Sequence, residues 1–509
     1  MRTKQAFKNV TFSLILQLVT AISGLIIPRF FISLYGSSVN GLVSSVNQFI
    51  TCMGLVEAGI GAAGTVALYC PLAEKDNRTV SGIVSAARMF YLRSGLIFAG
   101  LVAALVLLFP LLVQNEITDR FFIRTMILVL SINGLVDYFF LGKYRVLLLA
   151  DQHGYVISVA QIFGTIVTTA LSIALMNLGY SALLVKAAAA CVYLLRSIAV
   201  GIYVRKHYPY VNFREKPNFN AFGQRWAALL HQVVGMIVTN TDIVVLTLLL
   251  PQNALSTVSI YSVYNLVASA LQGLMNSVSN GLGSGFGEVI ARGEQQVLKK
   301  SFSNYEYAFF MVIFIAYTCM ASLMYPFVRL YSAGFTDGVN YLSWTLVVMF
   351  TITGLLQSLR LPGLTIICAA GHYRQTRMRA VLEACINLVV SVALIRPLGI
   401  VGVLLGTCAS YLYRTADVII YNARKFLPGT LKISARRLIR GLVLSVLLVL
   451  LSQRFIPSEM GGWMSWLVWA MADGIIVTTV IVLANVIIEP NEFRELWNRI
   501  SGLLNHSRN

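Results

Sequence analysis

The sequence predicts an all-α, multi-pass membrane protein of two pseudo-symmetric six-helix lobes followed by two extra C-terminal helices. Composition, the placement of basic residues and an internal repeat predict it. Of 509 residues, 57% are hydrophobic and only 12% charged. A soluble chain carries about 25% charged residues and could not hide so much apolar surface from water. A helical span takes about 20 residues to cross roughly 30 Å of hydrocarbon, so a dozen or more spans fit. Twelve prolines and no long Ser/Gly/Pro tract argue against linkers and disorder. Cys52, Cys70, Cys191, Cys319, Cys368, Cys385 and Cys408 lie in or beside apolar runs with no CxxC pair, and read as small hydrophobes. Neither a metal centre nor a disulfide framework is indicated.

The first apolar run, 10–34, follows Arg2, Lys4 and Lys8; it is too long for a signal h-region and lacks a small-residue cleavage site, so it reads as a retained first span. Runs follow at 41–69, 94–114, 121–141, 155–177, 181–204, 226–250, 258–284, 305–328, 341–361, 380–395, 400–421, 438–456 and 463–488, making about 14 spans. Starting with the N-terminus inside, most of the 39 Lys and Arg fall in alternate loops, which are then cytoplasmic. The opposite loops hold Arg120, Arg124, Arg329, Arg396 and Arg454. That alternation requires an even number of spans with both termini cytoplasmic. It also accounts for the net charge of +19 without nucleic acid, because the basic residues are spread over short loops facing anionic lipid.

Tyr193-Leu-Leu-Arg196-Ser-Ile-Ala-Val200-Gly-Ile202-Tyr203 matches Tyr411-Leu-Tyr-Arg414-Thr-Ala-Asp-Val418-Ile-Ile420-Tyr421 at six of eleven positions. Nearly the same offset aligns Ser131–Leu135 with Thr351–Leu355, His153 with His372, and Ser172–Leu175 with Ser391–Leu394. The period holds six spans, an even number, so the two copies have one orientation and are related by an axis along the membrane normal. The expected layout is an N-lobe at 1–206, a cytoplasmic inter-lobe loop at 207–225, a C-lobe at 226–425, and two further spans with a cytoplasmic tail at 426–509.

At Phe31-Ile-Ser-Leu-Tyr-Gly36-Ser-Ser-Val-Asn40-Gly41-Leu-Val-Ser-Ser-Val-Asn47-Gln48-Phe49, then Leu55-Val-Glu57-Ala-Gly59-Ile-Gly61 and Ala67-Leu-Tyr-Cys-Pro71, the chain resembles bacterial polysaccharide-biosynthesis flippases of the Wzx type. These belong to the MOP superfamily, with the lipid II flippases and the multidrug and toxin extrusion (MATE) antiporters. The resemblance implies a MATE-like fold in the bacterial cytoplasmic membrane. It implies a transporter and not an enzyme, moving an undecaprenyl-pyrophosphate-linked oligosaccharide from the inner to the outer leaflet for cell-surface polysaccharide biosynthesis. Membrane lipids and a glycan polymerase or biosynthesis complex are the expected partners.

The residues supply their own argument. Arg29, Lys186, Arg196, Arg360 and Arg414, with Glu57, Asp137, Asp242, Glu383, Asp417 and Asp473, lie inside apolar runs. A central Arg or Lys facing lipid costs about 2.5–3.5 kcal/mol, so these groups are expected to line water or to pair. A cationic cavity between two lobes would suit a pyrophosphate, because guanidinium forks match phosphate oxygens bidentately. The candidate substrate groups are therefore Arg29, Arg196, Arg360, Arg414 and Lys186; the candidate acidic or coupling groups are Glu57, Asp137, Asp242 and Asp417. Each has a plainer reading. Arg196 and Arg414 could snorkel to the cytoplasmic interface, Lys186 and Arg29 to the outer one, and the acids could be salt-bridge partners only.

Relatives that flip lipid II build a sodium site in the second lobe from two acids, an Asn and a Thr. By that resemblance Asp242, Asn387 and Thr407 match, whereas Ser391 stands where the second acid would be. No cofactor is expected; coupling to a Na+ or H+ gradient, or to the membrane potential, remains open. A lipid II or teichoic-acid precursor flippase and a MATE-like drug or cation antiporter are the alternatives. The antiporter would favour an acidic cavity. A membrane glycan polymerase or glycosyltransferase would need larger outer loops than these.

Overall fold

A computed structural model describes residues 2–113, 116–117, 119–213, 215–222, 233, 235–250 and 252–506. Among them, 13 helices are long and apolar enough to cross a membrane. The first part of the run at 226–250, including His231, lies outside the described residues, as does part of the stretch 207–225. The protein is all-helical over the described residues and is a multi-pass membrane protein. Its outward faces fit lipid: Leu96, Leu107, Phe163, Ile475 and Ile487 are each more than half exposed.

The chain packs into two compact units. The first runs to Ser262 and takes in Phe335–Val339; the second holds Val263–Gly334 and the chain from Asn340 onward. This division rests on packing, whereas the lobes above rest on the sequence repeat.

In the first unit, α1 (Arg2–Tyr35) runs through Pro28 without interruption. Gly36, at φ +83°, turns the chain into α2 (Ser37–Met53). The second apolar run reads as one span, but the helix breaks: α2 tightens into a 3₁₀ turn at Gly54–Glu57, and Gly59 at φ +84° starts α3 (Ile60–Glu74). Only glycine enters that left-handed region without strain. Asp76 and Asp119 accept backbone N–H bonds that start α4 (Asn77–Leu112) and α5 (Arg120–Val136). A π-helical turn, Asp137–Leu141, separates α5 from α6 (Gly142–Ala150). Then come α7 (Gly154–Asn177), α8 (Ala182–His207) and α9 (Asp242–Leu249). Tyr91, Val84, Leu147, Leu148 and Val204 form one core, and Phe31, Leu42, Phe109, Ile127 and Leu255 another.

The start of α10 (Ala254–Ala291) belongs to the first unit and is held there by charge. Glu116 accepts from Leu255 N (2.7 Å), Ser256 N (3.0 Å) and Ser256 Oγ (3.1 Å). Asp337 accepts from Ser37 N at 2.5 Å. Each carboxylate neutralises open N–H groups at a helix N-terminus. Between the two capped ends, Asn40 Nδ2 donates to Ser259 Oγ (2.8 Å) and the hydroxyls of Ser38 and Ser256 meet at 3.0 Å. A Cβ on Gly41 would lie 1.8 Å from the Leu255 carbonyl oxygen, so the approach depends on glycine.

The second unit contains α11 (Gln295–Ser332), α12 (Trp344–Leu359), α13 (Leu361–Ala369), α14 (Tyr373–Leu398), α15 (Ile400–Lys425), α16 (Leu431–Phe455), α17 (Trp463–Ile488) and α18 (Pro490–His506). Arg360 is the single residue between α12 and α13, where the helix is interrupted. At the offset of about 220, that break falls opposite the π turn of the first unit, so both repeats interrupt the helix at the same place.

Candidate functional site

The charges buried in apolar runs collect beside these two interruptions. In the first unit, the 3₁₀ turn delivers Glu57 and the π turn delivers Asp137. Arg145 of α6 reaches both: Nη2 is 3.0 Å from Asp137 Oδ1 and Nη1 is 3.9 Å from Glu57 Oε1. Tyr193 of α8 donates its hydroxyl to Asp137 Oδ1 at 2.6 Å. Arg196, one turn on, lies with its guanidinium carbon 4.1 Å from the centroid of the Tyr193 ring. Arg145 thus bridges the two carboxylates, and Arg196 lies beside them on the tyrosine that binds Asp137. The ion-paired side chains are about 30% exposed, which makes this cluster half-wet.

In the second unit, Arg360 pairs with Glu383 of α14. Arg414 of α15 bridges Glu383 Oε2 (3.5 Å) and Asp417 Oδ2 (2.9 Å), and Arg379 pairs with Asp417. Arg360 also stacks over Tyr411, 4.4 Å from the ring centroid. Three arginines meet two acids, but Arg379 is 41% exposed, so the largely buried part of the cluster pairs Arg360 and Arg414 with Glu383 and Asp417. Glu383, Arg414 and Asp417 are under 10% exposed. The Arg360 Nε–H is buried without a hydrogen-bond partner. Such a fork can bind an oxyanion through Nε–H while Nη1 stays tied to Glu383.

The remaining candidates stand apart from these clusters. Arg29 is half-buried on α1. The Lys186 ammonium on α8 lies 4.5 Å from the centroid of the Phe31 ring. Asp242 opens α9, is 7% exposed and accepts from Tyr261 OH at 2.9 Å, within the first unit. Asn387 and Thr407 meet in the second unit, with Asn387 Nδ2 3.1 Å from Thr407 Oγ1. Ser391 Oγ is spent on the Val403 carbonyl at 3.3 Å. Arg145 and Arg379 lie just outside the apolar runs at 121–141 and 380–395, and the structure makes both cluster members. A signal existed: Arg145 follows Asp137 by eight residues, about two helical turns.

The class follows from this architecture: the chain has the fold of the MOP-superfamily transporters. A lipid II flippase, MurJ, in an inward closed conformation matches with TM-score 0.65 at 15% identity, over 94% of this chain and 99% of that one. An inward-facing multidrug resistance MATE family transporter of the MOP superfamily matches with TM-score 0.61 at 10% identity, over 82% and 98%. An outward-facing MATE structure matches with TM-score 0.53 at 11% identity, over 82% and 95%. These neighbours are transporters and flippases, not enzymes. Neither a protein-family model nor a curated protein matches the sequence.

Proposed function

We propose that the protein is a flippase of the bacterial cytoplasmic membrane that carries an undecaprenyl-pyrophosphate-linked oligosaccharide from the inner to the outer leaflet. The observation that supports this reading is Arg360 beside the helix break, whose buried Nε–H is left for an oxyanion, in a cluster to which the more exposed Arg379 adds a third cation. Arg360 meets a phosphate oxygen, and Arg196, on its tyrosine, offers a second cation in the other repeat. Arg414 holds the cluster together through its two acids. With the cell interior negative, moving two phosphate charges outward gains about 2.3 kcal/mol per charge per 100 mV, which favours export without an ion. Both termini are cytoplasmic in this reading, and a glycan polymerase would receive the product.

The test reconstitutes the protein in liposomes with a fluorescent polyprenyl-pyrophosphate sugar and follows transfer between leaflets. Protein-dependent transfer is expected, slowed in Arg360→Ala and Arg196→Ala. If no lipid-linked sugar moves while an organic cation exchanges against Na+ or H+, the MATE-like antiporter reading replaces it.

A further inference from the structure

Just past the Arg360 break, inside the second unit, a small pocket is walled by α11, α13, α15 and α16, with room for one water-sized particle. Its polar wall consists of Glu306, Asn422, Thr430 and Ser434. Glu306 and Asn422 are 4% and 3% exposed. The hydrogens around the pocket are already placed. Ser434 Oγ donates to the Glu306 carboxylate (2.8 and 2.9 Å), Thr430 Oγ1 to the Leu427 carbonyl (2.8 Å), and Asn422 Nδ2 to the Gly363 carbonyl (2.9 Å). What remains is lone pairs, and Asn422 Oδ1 is buried with no hydrogen-bond partner. A buried acceptor left so is unfavourable, and a guest of positive character removes that cost.

We propose that this pocket binds one monovalent alkali cation, of the Na+ type, through the Glu306 carboxylate, Asn422 Oδ1 and the hydroxyl oxygens of Thr430 and Ser434. Every ligand is a hard oxygen, which does not suit zinc or copper, and a single carboxylate is too little charge for a tight calcium or magnesium site. The neighbouring charges leave room for a cation. Arg437 gives its Nε and Nη2 to Glu489 (2.9 and 2.7 Å) and its Nη1 to Glu306 Oε2 in a longer ion pair (3.3 Å), so its charge is shared between the two acids. Glu492 lies 3.7 Å from Arg437, and Arg440 is 2.8 Å from Glu489. Three carboxylates therefore face two guanidinium groups; a third, Arg436, is 3.7 Å from Glu489 but mostly in solvent. Because Asn422 also holds the Gly363 carbonyl, an ion here ties the start of α13, three residues beyond Arg360, to α15 and α16. The site is independent of Asp242, Asn387 and Thr407, and of which glycan is carried.

The test uses the full chain in nanodiscs, with Na+ replacing choline at constant ionic strength, read by thermal unfolding and by calorimetric titration with NaCl. A saturable, Na+-specific rise in unfolding temperature is expected. Asn422→Ala and Glu306→Gln each weaken apparent Na+ affinity at least tenfold, and Asn422→Asp, which adds a second carboxylate, tightens it at least tenfold. Identical unfolding in Na+ and choline means water alone fills the pocket and overturns the proposal. So does unchanged affinity in both Asn422 variants, which decide the matter if Glu306→Gln does not fold.

Discussion

In the first unit the guanidinium that lies on Tyr193 comes from its own helix, Arg196. In the second, the repeat-equivalent Tyr411 carries Arg360 from the helix break, while Arg414, the equivalent of Arg196, turns to Glu383 and Asp417. The tyrosine and the interrupted helix are common to both; the charges around them have been dealt differently. The first cluster has ion-paired side chains about 30% exposed, within reach of solvent. The second is largely buried apart from Arg379, and its ions are held by protein partners.

Removing an acid should break this contrast most clearly. Glu383→Ala strands Arg360 and Arg414 in a buried site and is expected to cost about 3–5 kcal/mol, whereas Asp137→Ala should cost less than half of that because its partners are half-solvated. Unfolding midpoints of the two variants, side by side, measure the difference. Next come Arg360→Lys and Arg196→Lys. Lysine keeps the charge and loses the planar fork, so the first should slow liposome transfer about tenfold and the second less, each with an unfolding midpoint near that of the parent. Similar losses in both would mean the clusters do equivalent work.

What the repeats share is tested by their glycines. Gly142 and Gly363 follow the two helix interruptions at nearly the repeat offset. A Cβ would lie 2.5 Å from the Tyr91 ring at Gly142, and 2.3 Å from Val418 Cγ1 at Gly363. Alanine at either should destabilise by about 1–3 kcal/mol, and an effect at only one would show that only one break is closely packed. The smallest effects are with acid. Burial raises the Glu489 carboxyl, but hydrogen bonds and charge from Arg437 and Arg440 outweigh it and leave it below the ordinary glutamate range. In the first unit, hydrogen bonds from Thr79 hold Asp76 low. A lowered acid contributes stability above its unfolded pKa, about 4 for these groups, and loses it as pH falls through the folded value. Glu489→Gln should flatten the decline of the unfolding midpoint between about pH 5 and pH 3, and Asp76→Asn should do so more weakly.

Much of the helical architecture was legible in the sequence, because a membrane imposes long apolar runs that local reading detects. The repeat was legible because Tyr-Leu-x-Arg recurs in the sixth and twelfth runs. Pairing was not legible. Arg414 and Asp417 are one helical turn apart and could have been matched, but Arg360 with Glu383, and Arg145 with Asp137 across a π turn, depend on how helices lean on one another. The break at Gly54–Gly59 was missed for a related reason: a run of apolar residues and small side chains records hydrophobicity without recording where φ becomes positive. The pocket at Asn422 was also hidden, since its meaning lies in where hydrogens are absent.

The two carboxylates on helix ends carry one more consequence. Asp337, from the later repeat, serves Ser37, and Glu116, from the earlier repeat, serves Ser256, at matching positions in a crossed exchange. Neither half of the chain brings the anion its own helix requires. Two fragments severed at the repeat junction would each begin a helix with bare amides, at about 1 kcal/mol apiece, until they met. Each half thus carries a key cut for the other, and mating them fixes the register between α2 and α10.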